Sequence, residues 1–350
     1  MLYKADQTAS MIVGLGSYLP AEVLTNDDLA EMMDTSDEWI YSRTGIRRRH
    51  RAAPEETTAS IGAEAARAAI EDAGLEPGDI DLIVMGTMFP DYTYPGPGMV
   101  IQQQLGIGRT IPVIDIRVQC VGYVYALSMA DLYIRSGQAR HALLVFAEKE
   151  FDHFKIDRQI GVIFGDGGGA AVIGPAEGDR GVLVTDMQGD GGGVSDLVMT
   201  SDNMVGLREG HGVWPEETLK CRAYWEERGI VPGHTKFPFW IGQEVFRNAV
   251  KRLMRSARSV VKEAGLTLDD IDHFFLHQAN QRINAKLVEL LHLPPEKVPT
   301  NIERIGNTGA ASAIILMDEA RRAGELEPGA LCMIAAFGAG YLWGSAIVRY

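Results

Sequence analysis

The chain has 350 residues, 46% of them hydrophobic and 23% charged, with 47 acidic against 33 basic side chains and a formal net charge of −14. This length allows two domains or one large duplicated one, the composition is that of a globular enzyme, and the acidic balance argues against nucleic acid as the main partner. No apolar run approaches the roughly 20 residues that span a bilayer, and Met1-Leu2-Tyr3-Lys4-Ala5-Asp6-Gln7 lacks the apolar core of a signal peptide.

In chain order, a strand precedes Gly14-Leu15-Gly16. The third glycine and later acidic residue of a dinucleotide site are missing, so close strand–helix approach explains these glycines better. An amphipathic helix ends at Ile70-Glu71-Asp72-Ala73-Gly74 and leads to the apolar strand Leu82-Ile83-Val84-Met85. Val118-Gln119-Cys120-Val121-Gly122 is a strand-to-helix turn, followed by an apolar helix over residues 123–134 and a strand near residues 142–147. Phe164-Gly165-Asp166-Gly167-Gly168-Gly169 is glycine-rich, but no Lys-Ser/Thr follows, so it is not a P-loop. Over residues 185–242 the pattern weakens into glycine loops (Gly191-Gly192-Gly193, Gly210-His211-Gly212, Pro232-Gly233-His234) and one helix near residues 215–228. A helix over residues 244–264, the strand His273-Phe274-Phe275-Leu276 and the turn Gly306-Asn307-Thr308-Gly309 come next. A helix reaching Gly324, a strand over residues 331–336 and a glycine turn before a final strand complete the chain.

Two of these stretches repeat two others. Ile70-Glu71-Asp72-Ala73-Gly74-Leu75 matches Val261-Lys262-Glu263-Ala264-Gly265-Leu266, and Cys120-Val121-Gly122 matches Asn307-Thr308-Gly309, both at an offset of about 190 residues. The chain therefore reads as two copies of one α/β unit, residues 11–184 and 243–350, with residues 185–242 inserted as a cap over the site. Cys120 and Asn307 fall at equivalent turns, and His277 directly follows a strand. Open α/β sheets hold their active groups at such carboxyl ends of strands.

Taken singly, Cys120 reads as a core thiol, His277 as a core histidine and Asn307 as a turn residue. Together they suggest a thiol nucleophile and two hydrogen-bonding groups around a thioester. The helix start after Cys120 is expected to lower the thiol pKa. Cys221 and Cys332 lack that context, and three widely spaced cysteines fit a reducing cytoplasm rather than a disulfide framework. The turn Phe337-Gly338-Ala339-Gly340 could offer bare N–H groups to an oxyanion. The basic run Gly45-Ile46-Arg47-Arg48-Arg49-His50-Arg51, and Arg247, Lys251, Arg255, Arg258 and Lys262 at helical spacing, are either solvated faces or contacts to an anionic partner.

The set Thr35-Ser36-Asp37-Glu38-Trp39-Ile40, Arg43-Thr44-Gly45-Ile46, Phe164-Gly165-Asp166-Gly167, His277-Gln278-Ala279-Asn280 and Gly306-Asn307-Thr308 resembles β-ketoacyl-acyl-carrier-protein synthase III, of the thiolase superfamily. The resemblance runs over nearly the whole chain. It implies a thiolase-like fold, two duplicated α/β halves in a layered αβαβα arrangement, and a cytoplasmic homodimer. It also implies an acyltransferase of fatty-acid or related biosynthesis. Cys120 would take an acyl group from acyl-coenzyme A, and His277 and Asn307 would hydrogen-bond the thioester oxygen of malonyl-acyl carrier protein as it decarboxylates. The N–H groups of Cys120 and Ala339 would form the oxyanion hole. Trp39, Arg43, Arg158 and Asn280 would bind coenzyme A. Arg247, Lys251, Arg255 and Arg282 would face the carrier protein, and Tyr94 would reach across the dimer to close the acyl pocket. No metal, no cofactor beyond the coenzyme A thioester and no membrane span are implied.

Three features depart from the family pattern: Gln119 and Val121 beside the nucleophile, the charged and aromatic Glu148-Lys149-Glu150-Phe151-Asp152-His153-Phe154, and the long insertion with Trp214, Trp225 and Trp240. They lie where acyl-chain and acceptor specificity are set, and they point to a primer not restricted to acetyl. Two alternatives stay open: a related enzyme of secondary metabolism with another acceptor (a second acyl-coenzyme A, or an oxygen or nitrogen nucleophile), and a non-catalytic partner subunit.

Overall fold

Alternating apolar strands build the layers. Leu82 and Val84 face a central core while Ile83 and Met85 face an outer one, and Phe275 and Phe274 divide the same way in the second half. The computed structural model describes residues 1–4, 9–154, 158–194, 196–199 and 238–350. Its first half holds β1 (Leu2–Lys4), β2 (Ser10–Tyr18), the ribbon β3 (Glu22–Thr25) and β4 (Arg48–Arg51), β5 (Leu82–Gly86), β6 (Val113–Ile116), β7 (Ala142–Glu148) and β8 (Gly167–Pro175). Between these run helices α1 (Asn26–Met32), α2 (Asp37–Thr44), α3 (Thr58–Asp72), α4 (Pro97–Gln104), α5 (Gly122–Arg135) and α6 (Phe151–Phe154). The remainder holds β9 (Gly181–Gly189), the ribbon β10 (Leu197–Met199) and β11 (Pro238–Trp240), and then α7 (Gly242–Ala264), β12 (His273–Leu276), α8 (Gln281–Leu291), α9 (Ile302–Ile305), α10 (Ala311–Arg322), β13 (Leu331–Gly338) and β14 (Leu342–Arg349).

Among the described residues there are two five-stranded sheets, β2-β8-β7-β5-β6 and β1-β9-β14-β13-β12. In the first, β5 and β7 are parallel and β8 turns back antiparallel. In the second, β12 and β13 are parallel and β14 turns back antiparallel. This is the expected duplication. Helices α3 and α4 pack on the outer face of the first sheet, α5 and α10 lie between the sheets, and α7 and α8 cover the second. The layers are therefore αβαβα.

The structure corrects three sequence readings. The boundary at residue 184 cuts through β9, which pairs with β14 from Leu342 opposite Gly189 to Arg349 opposite Gly181. Val182 enters the central core and Val184 the outer one, so this stretch is a strand of the second sheet and not part of a cap. Gly14 and Gly16 lie inside β2, not after a strand. A Cβ added to either would stand 2.3 Å from an Ala69 backbone atom of α3, so close approach is their purpose. The basic run is largely tied into the fold, although Arg48 is exposed. Arg49 is fully buried and donates to Asn26 Oδ1 and the Val162 carbonyl, Arg47 pairs with Asp37 and Glu303, and Arg51 pairs with Asp152. Most of the insertion, with its helix near residues 215–228, Cys221, Trp214 and Trp225, lies outside the described residues. No helix among the described residues is long and apolar enough to cross a membrane.

Gly16→Ala forces a methyl into the α3 backbone and should cost about 2 kcal/mol of stability in urea unfolding. The control Gly78→Ala, which meets nothing within 4 Å, should stay within about 0.5 kcal/mol of the parent. Equal midpoints for the two variants would refute the close-approach account.

Candidate active site

Cys120 sits in a single 3-10 turn, Gln119–Val121, that runs into α5. Gln119 takes a φ of 46°, the left-handed region that side chains rarely adopt, and so turns the chain sharply ahead of the nucleophile. The half-buried thiol lines a cavity of about 880 Å³. Gly122 lets α5 start here, because an added Cβ would lie 2.5 Å from the Phe146 ring and 3.3 Å from Ala310 Cβ. The first turn of α5 therefore packs on the start of α10, and the turn carrying Asn307 comes up beside the turn carrying Cys120.

His277 leaves β12 with its N–H bonded to the Ala335 carbonyl at 2.9 Å. The Ser312 hydroxyl, in the first turn of α10, accepts from the Gln278 N–H at 3.2 Å and lies 2.7 Å from His277 Nδ1. Among the described residues that hydroxyl has no acceptor other than Nδ1, so its proton points there and leaves the ring hydrogen on Nε2. Nε2 is buried and has no partner among the described residues. Burial also lowers the His277 pKa to about 4, so the ring is neutral at neutral pH. Asn307 is pinned in a similar way. Its Oδ1 accepts from the Gly309 N–H at 3.0 Å, which leaves the Nδ2 hydrogens to serve as donors. The structure thus holds two neutral side chains whose inward N–H groups have no internal partner among the described residues, the kind of donor that stabilises an oxyanion.

Electrostatics around the thiol differ from the sequence expectation. Burial pushes the Cys120 pKa up, and negative charge on Glu150 and then Glu148 would push it further, while its own backbone N–H opposes them. The net direction is opposite to the lowering expected from the helix start. Both acids are themselves pushed up by burial, and in their neutral form they add no charge against a thiolate. Glu148 accepts from Thr87 Oγ1 at 2.9 Å and from the Met88 N–H at 3.0 Å, and it fills the space a Gly309 side chain would need.

The other expected residues fall in four places. Ala339 lines the cavity, and its neighbour Gly338 abuts Cys120, where an added Cβ would stand 3.3 Å from the Cys120 nitrogen. On α2, Trp39 carries two guanidinium groups over its ring, Arg43 at 4.5 Å and Arg158 at 4.6 Å from the centroid. The Asn280 amide is committed to structure: Oδ1 caps α8 at the Arg282 N–H and Nδ2 donates to the Arg43 carbonyl. It therefore fixes the Trp39 helix against the strand end that carries His277. Arg247, Lys251 and Arg255 are exposed along α7, Arg282 is exposed on α8, and Arg247 pairs with Glu244. Tyr94 is 85% exposed and does not line the cavity of its own chain, although its loop neighbours Met88, Phe89, Asp91 and Thr93 do. Sequence reasoning missed Ser312 and the separate roles of Glu148 and Glu150. Ser312 lies just past the Gly306-Asn307-Thr308-Gly309 turn, and its partner His277 lies 35 residues away. The structural reading of Cys332 holds, since it is fully buried within β13.

Comparison with known proteins agrees with this geometry. Residues 114–191 match the family model of 3-oxoacyl-[acyl-carrier-protein] synthase III, and residues 261–350 match the model of its C-terminal part. A β-ketoacyl-[acyl-carrier-protein] synthase III of Rhizorhabdus wittichii is 41% identical over 344 residues, covering 97% of this chain and 99% of that one. One from Brucella canis is 40% identical, with the same coverage. Among solved structures, the 3-oxoacyl-[acyl-carrier-protein] synthase III of Aquifex aeolicus superposes with a TM-score of 0.85 at 36% identity, over 97% of this chain and 100% of that one. The priming β-ketosynthase of the R1128 polyketide biosynthetic pathway gives 0.86 at 32% identity, over 99% and 98%.

Because burial disfavours the cation, His277 should titrate on the acid side of the ordinary value of 6.5, near about 4. Imidazole nitrogen NMR shifts should report the Nε2–H tautomer unchanged from neutral pH until strongly acid conditions. Ser312→Ala should populate the other tautomer. A midpoint near the ordinary histidine value, or a tautomer indifferent to Ser312, would contradict this account.

Proposed function

Because this chain belongs to the 3-oxoacyl-[acyl-carrier-protein] synthase III family, we propose that it moves an acyl group from acyl-coenzyme A to Cys120 and condenses it with malonyl-acyl carrier protein in fatty-acid or related biosynthesis. The observation that carries this reading is the pair of fixed neutral donors, His277 Nε2–H and Asn307 Nδ2–H, the second held by the N–H of Gly309, a residue that lines the same cavity as Cys120.

In the first step the Cys120 sulfur attacks the thioester carbonyl, the bond to coenzyme A sulfur breaks, and the thiol proton leaves with coenzyme A. The Cys120 and Ala339 N–H groups would hold the transient oxyanion. In the second, malonyl loses carbon dioxide and the electron pair moves onto the thioester oxygen. The two donors stabilise this enolate, and as weak acids they do not protonate its carbon. That carbon then attacks the acyl-Cys120 carbonyl, the thiolate leaves, and the β-ketoacyl product stays on the carrier. No step calls on a metal or redox cofactor.

The Trp39 platform with Arg43 and Arg158 suits a nucleotide base and its phosphates. The exposed basic face of α7, with Arg282, suits an acidic carrier protein. Exposed Tyr94 suits a homodimer in which it enters the partner's pocket. Three widely spaced cysteines support a cytoplasmic setting. The cavity volume, with Phe154, Phe164, Leu197 and Met199 in its lining, supports primers longer than acetyl. A second reading, priming of a polyketide pathway by the same chemistry, is favoured by the likeness to the R1128 priming β-ketosynthase.

Intact-mass spectrometry after exposure to acyl-coenzyme A thioesters should find one acyl group, mapped to Cys120. His277→Ala and Asn307→Ala should still take it up, yet lose about 10²–10³-fold in malonyl decarboxylation. An acyl group on Cys221 or Cys332, or full-rate decarboxylation in both variants, would overturn the assignment. Charge reversal at Arg247, Lys251 and Arg255 together should weaken carrier binding and flatten its salt dependence. Unchanged affinity would make α7 an ordinary solvated face.

A further inference from the structure

One buried acid has no part in this mechanism. Even-numbered side chains of β7 face the central layer (Leu144 and Phe146) and odd-numbered ones the outer layer (Leu143 and Val145). Just past the strand the pattern persists. Lys149 turns outward and donates to the Ala53 and Glu56 carbonyls, while Glu148 and Glu150 line the cavity that holds Cys120. Glu150 is 3% exposed. Its backbone is firmly placed, with the Glu150 and Phe151 N–H groups both donating to Asp166 Oδ1, at 2.7 and 2.9 Å. Its carboxyl is not satisfied. Oε1 is buried without a hydrogen-bond partner, and no cation pairs with the group among the described residues. Glu148, by contrast, accepts two hydrogen bonds. Native proteins rarely leave a buried polar atom orphaned, and one that faces a cavity is satisfied when a ligand fills it.

Chemistry narrows the ligand. Burial, Glu148 and Asp166 all raise the Glu150 pKa, which favours the protonated carboxyl, a group that can both donate and accept. It lines the same cavity as Cys120, the residue that carries the acyl group. Phe154, Ile160 and Phe164 share the cavity, and an alkyl chain among them would leave Glu150 unsatisfied.

We propose that Glu150 is a specificity-determining residue that hydrogen-bonds a hydroxyl on the acyl chain, so that the favoured primer is a hydroxyacyl thioester and not a plain alkyl one. A hydroxyl matches a neutral carboxyl group for group. An ammonium would require an ionised Glu150 beside Glu148 and Asp166. This assignment rests on the proposed transfer of an acyl group to Cys120.

The test is competitive acylation of the full chain by thioester pairs of equal length, read by intact mass: butyryl- against β-hydroxybutyryl-coenzyme A, and hexanoyl- against ω-hydroxyhexanoyl-coenzyme A. One hydroxylated member should win by about tenfold. Glu150→Gln, still a donor and acceptor, should keep most of that preference, and Glu150→Leu should reverse it. Each ratio is taken within one sample, so loss of folded protein cancels. A wild-type ratio within about twofold for both pairs, or an unchanged ratio in Glu150→Leu, overturns the proposal. So does a preference for β-aminobutyryl- over β-hydroxybutyryl-coenzyme A, which would assign the site to an ammonium. Acylation without discrimination defeats the Glu150 assignment alone. If no thioester acylates Cys120, the functional reading beneath it falls as well.

Discussion

The contact between Gly122 and Ala310 is the point on which the site depends. It joins the first turn of α5 to the start of α10, with Phe146 filling the rest of the space. Both helices run through the layer between two sheets, and residues 311–318 of α10 are all buried. Polar chemistry cannot sit along such helices without cost, so it gathers at their ends, where N–H groups are unsatisfied in any case. The duplicated fold brings two such ends together. One supplies a thiol, the other an amide and the serine that orients a histidine.

Neutrality is the second theme. The oriented histidine is held uncharged by burial, the amide carries no charge, and the two acids beside the thiol are driven toward their neutral forms. A resting site with little fixed charge leaves its donors free to respond to charge that develops only during reaction. In a water-excluded setting such preset dipoles are most effective. Ser312 and the Gly309 N–H bring that about by fixing which atom of each ring or amide faces inward.

Much of this was legible in the sequence. The two α/β copies showed because apolar strands and glycine-ended helices leave strong periodic marks, and Cys120, His277 and Asn307 stood out because each follows such an element. The errors have local causes. Residues 181–184 read as the end of the first copy and residues 185–189 as the start of the cap, yet all of β9 pairs with β14, and pairing across the chain leaves no local mark. Arg47, Arg49 and Arg51 read as a charge cluster because their partners Asp37, Glu303, Asn26 and Asp152 are distant in sequence. Asn280 sits within the most specific motif, and its cap on α8 and its bond to the Arg43 carbonyl are set by atoms that only a structure orients. Glu148 and Glu150 stood out as unusual, and only the alternation of β7 shows that both turn toward the thiol.

A crystal structure of the protein trapped with an acyl group on Cys120 and a non-decarboxylating malonyl thioester analogue would test the central claim most directly. The account places the acyl oxygen against the Cys120 and Ala339 N–H groups. It places the analogue's thioester oxygen about 3 Å from both His277 Nε2 and Asn307 Nδ2, with Ser312 still bonded to Nδ1. A thioester oxygen bound elsewhere, or a His277 ring turned to present Nδ1, would contradict it.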